Sequence, residues 1–147
     1  MWPRRLVVVS IAVLVYWAVA TLLAVQAGWP AEFSGLGDPS DVSGEWASRG
    51  TLVSPPLLPL VAQAALTLLV LVDRRSALAV AGLGLAAIGA LYAIGGLGEP
   101  LRPDRSDPPL ALYWILKSLG IAGGLALVVT GVETGGAAIR NRRWTRS

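Results

Sequence analysis

Residues 110–132 read LALYWILKSLGIAGGLALVVTGV, with no Pro, no acid and one charged side chain, Lys117. About 20 helical residues cross roughly 30 Å of hydrocarbon, so this run predicts a transmembrane helix. Three further apolar runs occupy 6–27, 57–72 and 77–97. Pro55 and Pro56 lengthen the shortest of these, because a helix tolerates prolines in its first turn. The predicted helices cover about 5–27, 55–72, 76–97 and 109–133. The expected fold is an all-α membrane protein, a four-helix transmembrane bundle forming one domain over 1–147.

Composition supports this independently. Of the 147 residues, 54% are hydrophobic and 14% are charged, whereas soluble domains carry charge nearer 25%. A mean hydropathy of +0.64 exceeds what a small soluble globule can hide beneath its polar surface. The surplus apolar residues require the bilayer as their solvent. The preference for Arg over Lys, with abundant Ala, Gly, Val and Leu, fits a GC-rich bacterial genome and hence an inner-membrane location.

The arginines orient the spans. Arg4 and Arg5 precede the first helix, Arg74 and Arg75 fill the connection between the second and third, and Arg140, Arg142 and Arg143 follow the fourth. With four spans these clusters share one side, and the positive-inside rule predicts that both termini are cytoplasmic. Residues 134–147 then form a basic cytoplasmic tail. The first run is longer than the 7–15 apolar residues of a secretory signal, so it is expected to remain as a span.

The outer loop over 28–54 carries Trp29 and Trp46, read with Tyr113 and Trp114 as interface anchors. Asp38-Pro39-Ser40-Asp41 suggests an N-cap followed by a first turn, so a short interfacial helix competes here with an irregular loop. An Arg pair, a helix, a loop and a Pro-Pro-started helix occur twice, at 4–72 and 74–132. That pattern fits two parallel hairpin repeats, although each device is common by itself.

Several function classes fall away. With no Cys and no His, disulfide relays, haem anchors and zinc or copper sites lack their usual ligands, and a histidine triad is impossible. No cofactor or metal is expected. The net charge of +3 sits in short clusters beside the spans and offers no basic face for nucleic acid. The loop acids lie among Gly, Ser, Pro and Arg and read as solvated surface.

Lys117 is the most informative residue, the only Lys in a chain rich in Arg. A helix starting near Pro109 puts it about 12 Å into the membrane at 1.5 Å per residue. Charges at that depth are costly and usually functional. The competing reading is an anchor whose ammonium snorkels to the interface beside Tyr113 and Trp114. Thr21, Gln63 and Tyr92 lie at a similar depth, about two turns from the outer ends of their helices. Buried polar groups seek one another, so these four residues are expected to form an outer-half pocket for an anionic group or a proton path.

Small residues give a second signal. Gly82, Ala86 and Ala90 recur every four residues, as do Gly120 and Gly124, a spacing that lets helices approach closely. They predict packing of the third span on the fourth. Gly131, Gly135 and Gly136 are expected to loosen the last turns of the fourth span.

The leading functional expectation is a non-enzymatic accessory or interaction protein with a protein partner or a second copy of itself. The alternative is a carrier or binding protein for an anionic or lipid-like small molecule centred on Lys117.

Overall fold

In hydrocarbon a chain must satisfy its own backbone hydrogen bonds, and a helix does so within one segment. The computed structural model describes residues 2–29, 38, 40–72, 74–98 and 109–140, and their regular structure is helical throughout. The helices are α1 (Trp2–Ala27), α2 (Val42–Arg49), α3 (Leu57–Val70), α4 (Arg75–Gly98) and α5 (Leu110–Arg140). Three of them, α1, α4 and α5, are long and apolar enough to cross a membrane. Arg142 and Arg143 lie outside the described residues, while Arg4, Arg5, Arg74, Arg75 and Arg140 are exposed.

Two boundaries differ from the sequence reading. The second span was expected over 55–72, but α3 has 14 residues, about 21 Å at 1.5 Å per residue. A residue before Pro is driven out of the α region, so Pro55 cannot be helical ahead of Pro56. Pro56 itself is the extended N-cap, with ψ 168°. At the other end α5 does not loosen at its glycines but runs on to Arg140. Gly131 and Gly135 fit against α4, and that contact holds the helix together.

Neighbouring helices are antiparallel. Gly82 near the start of α4 faces Gly131 and Gly135 late in α5, and Gly89 faces Gly124. Val13 and Trp17 of α1 pack on Gly123 and Gly120 of α5. Ser10 of α1 meets Gln63 and Thr67 of α3. α1 therefore begins, and α5 ends, at the same end of the bundle, while α2 caps the other end. Val8, Val15 and Leu22, spaced by two turns, form an exposed apolar stripe on α1, suited to lipid.

The small-residue seam is offset from the predicted rows. Gly82, Ala86, Gly89 and Ala93 of α4 meet Gly124, Gly131 and Gly135 of α5. Gly89 takes the place expected for Ala90, which is half-buried, because 3.6 residues per turn makes a strict four-residue row drift around the helix. Gly120 faces the Trp17 ring of α1 and not α4. The α1–α3 pair is joined by polar side chains instead, so the two suggested hairpins are held by different means.

Local signals end α1 and start α2. Gly28, at φ 69°, follows α1; the Gly28 and Trp29 amides return to the carbonyls of Val25 (3.3 Å) and Ala24 (2.9 Å). These are the two bonds of a Schellman ending, in which glycine accepts the left-handed position. Trp29 is thereby folded into the core and is buried, not an interface anchor.

A short helix does occupy this stretch, but its cap lies three residues beyond Asp38. Asp41 accepts from the Gly44 amide at 3.2 Å. Asp38 instead accepts from the Ser40 hydroxyl and amide at 2.7 and 2.8 Å. Those two donors, the hydroxyl first, hold its carboxyl below the usual carboxylate range. Glu45 pairs with Arg49 at 2.8 Å within α2. Asp41→Ala is expected to destabilise α2 by about 1 kcal/mol, read as faster hydrogen exchange of its amides with α4 and α5 unchanged.

Candidate functional site

Two polar groupings lie within the bundle, and Tyr92 of the first lines the same cavity as Lys117 of the second. The first bridges α1, α3 and α4. Gln63 is fully buried; its Nε2 donates to the Ser10 carbonyl at 3.0 Å and to Ser10 Oγ at 3.1 Å. Ser10 Oγ and Thr67 Oγ1 are 2.6 Å apart, and Thr67 Oγ1 lies 2.7 Å from the Gln63 carbonyl. Tyr92 completes the set by donating its hydroxyl to Gln63 Oε1 at 3.0 Å. Both ends of the Gln63 amide are engaged, so this cluster is a satisfied polar bridge.

The second grouping belongs to α5. Lys117 is 9% exposed, so it does not snorkel to the surface. Its ammonium donates to the Tyr113 hydroxyl and lies 4.8 Å from the Tyr113 ring centroid, a cation–π distance. The two residues are one turn apart on one helix face. Tyr113 is fully buried and so is not an interface anchor. Trp114 beside it is 51% exposed, and Trp46 is half-buried on α2.

Lys117 and Tyr92 both line a cavity of about 330 Å³ at the α2 end of the bundle. Its other walls include Trp17, Gly120 and Ile121, the last turns of α4, Pro59 at the start of α3, and the segment 51–56. That volume is near the lower end of small-molecule pockets, roughly 300–1,000 Å³, which are mostly apolar with a few placed polar groups. Among the described residues, its charged wall residues are Lys117 and, on the α2 side, Arg49.

The segment over the cavity is built locally. Thr51 to Ser54 are buried without being helical. The Thr51 amide donates to the Ser54 carbonyl at 2.9 Å, and the two hydroxyls are 2.8 Å apart. Gly50, at φ 79°, begins this turn, and a Cβ there would stand 2.6 Å from the Ser54 carbonyl oxygen. Only glycine meets both demands without strain. Non-helical backbone beside the membrane is tolerated where protein buries it, as it does here.

Of the four residues predicted to share a pocket, the structure brings Lys117 and Tyr92 to one cavity. Gln63 sits behind Tyr92 as its hydrogen-bond partner, and its own walls are Ser10 and Thr67. Thr21 is buried, but its hydroxyl is unbonded among the described residues and it does not line the cavity. Trp17, one turn earlier on α1, does line it and stacks edge-on against Tyr92 with centroids 5.2 Å apart. Depth matching could not separate Thr21 from Trp17, since helical facing decides which residue reaches the centre. Ser10, Thr67 and Arg49 were also missed. Ser10 and Thr67 are common helix residues whose pairing only tertiary contact reveals.

Compared with protein-family models, curated proteins and solved structures, the chain matches none of them.

Proposed function

We propose that this protein is a multi-pass membrane protein that binds a small molecule bearing an anionic group, with Lys117 as the partner of that group. The observation that carries this reading is a buried lysine in the wall of an otherwise largely apolar cavity. Placing an ammonium there is costly, and an anion in the same low-dielectric space offsets that cost far more than in water. Arg49, already paired with Glu45, stands at the α2 side of the cavity.

The membrane arrangement that goes with this reading has four crossings, with the short α3 completed by the segment 51–56, buried over 51–54. The arginines before α1, between α3 and α4, and after α5 then face the cytoplasm of an inner membrane. The cavity opens in the outer half.

The test is purification from native membranes in lipid discs, with mass spectrometry of everything retained. The wild type is expected to hold a small anionic molecule at near-equal stoichiometry. Lys117→Gln is expected to lower its occupancy at least about tenfold, the weight of one charge-assisted hydrogen bond. A stoichiometric protein partner that survives Lys117→Gln, with no small molecule retained, would replace this reading by that of an accessory subunit.

A further inference from the structure

The cavity has a sideways opening that decides which anions can use it. On α4, Gly84 packs directly on α3, where a Cβ would stand 2.8 Å from Leu66 Cδ1. Two turns further, on the same face, Leu91 is 62% exposed. One turn beyond, no atom of the described residues lies within 4 Å of a Cβ built at Gly95. α3 has begun only at Leu57, so α4 outruns its neighbour there. Leu91, Ile94 and Gly95 are nevertheless cavity wall, and Ile94 is 67% exposed. Among the described residues, the cavity therefore opens between the start of α3 and the end of α4, through a rim of apolar side chains.

We infer that the ligand is a single-chain anionic amphiphile that enters sideways from the bilayer, its head on Lys117 and its chain in the α3–α4 gap. This rests on the binding reading of Lys117 given above. A water-soluble anion has no use for an apolar side opening. The roughly 330 Å³ within is small for a ligand pocket, so it takes the head and the first part of one chain, while the remainder stays among lipid. Gly95 is the residue that keeps the gap passable. It is also unusual among the glycines here. At Gly82, Gly124 and Gly131 a side chain would strike backbone atoms, but at Gly95 it would enter open space. A large side chain at Gly95 is expected to block the opening without disturbing the fold.

The experiment uses the full chain in discs of zwitterionic lipid, titrated with a long-chain alkyl carboxylate brominated near its carboxyl. Bromine quenches tryptophan, and Trp17 lines the cavity. The wild type is expected to show saturable quenching that inorganic phosphate and acetate do not compete away. Gly95→Phe is expected to weaken binding at least about tenfold, while Leu97→Phe, two residues away on an exposed face, leaves it unchanged. Lys117→Gln is expected to weaken binding to a similar degree. Wild-type affinity in Gly95→Phe, or competition by inorganic phosphate or acetate, overturns the sideways route. Those same outcomes leave the binding reading intact if Lys117→Gln still loses affinity. Quenching that is unsaturable and indifferent to Lys117→Gln overturns both.

Discussion

Gly131→Leu is expected to destroy the folded bundle, the largest effect of any single substitution considered for this protein. A Cβ at Gly131 would stand 2.5 Å from the Gly82 carbonyl oxygen and 2.9 Å from the Ala86 amide nitrogen. Both are backbone atoms of α4, so the clash cannot be relieved by a change of rotamer. The helices would have to separate. In a membrane, helix association depends on close packing because lipid is as apolar as the side chains, so separation forfeits the seam rather than one contact. Overpacking in ordinary cores costs about 1–3 kcal/mol, and here at least the upper value applies. Unfolding in detergent, followed by loss of the monodisperse species and by protease sensitivity, measures it. Gly95→Leu, the same chemical change on open space, is expected to unfold with the wild type. Equal losses in the two variants would mean that leucine disturbs helices generally and that the seam has no special weight.

Gln63→Leu has the next largest expected effect. The substitution preserves shape approximately but removes the acceptor for Tyr92 and a donor to Ser10. Side-chain hydrogen bonds in membrane proteins average about 0.6 kcal/mol and reach about 1.7 kcal/mol. Three lost bonds and a buried, stranded Tyr92 hydroxyl put the cost at about 2–3 kcal/mol. Tyr92→Phe removes the matching donor and is expected to cost about 1 kcal/mol. The double variant is expected to be less destabilised than the sum, because neither then leaves the other stranded. Strict additivity would show that the two side chains do not depend on one another. Tyr92 also walls the cavity, so Gln63→Leu is expected to weaken ligand binding as well as stability.

The polar bridge and the glycine seam divide the work of a small bundle. α4 and α5 approach through glycines, with shape deciding the register. α1 and α3 are joined by hydrogen bonds whose directionality decides it. The cavity lies where neither device operates, at the end where α3 is too short to accompany α4. A binding space without closed packing on one side follows from that mismatch in helix length.

Much of this was legible beforehand. Apolar runs of bilayer length make helices because no other structure satisfies the backbone in hydrocarbon, so α1, α4 and α5 could be read from residues 6–27, 77–97 and 110–132. The solitary Lys117 signalled a buried polar centre for the same energetic reason. A short helix near Trp46 was foreshadowed by its acids, although the cap proved to be Asp41 and not Asp38, since either Asp can close a turn.

What sequence alone could not decide is which face each helix turns inward. Tyr113 and Trp29 looked like interface aromatics and are buried; Thr21 looked like a pocket residue, and Trp17 lines the cavity instead. Gly131 and Gly135, late in α5, looked like part of a loosened end and pack closely on α4. Composition and length determine that these segments are helices suited to a membrane, because those are properties of a segment and its solvent. Rotation about each helix axis, and with it the cavity at Lys117, depends on the neighbouring helix, and only the tertiary structure supplies that neighbour.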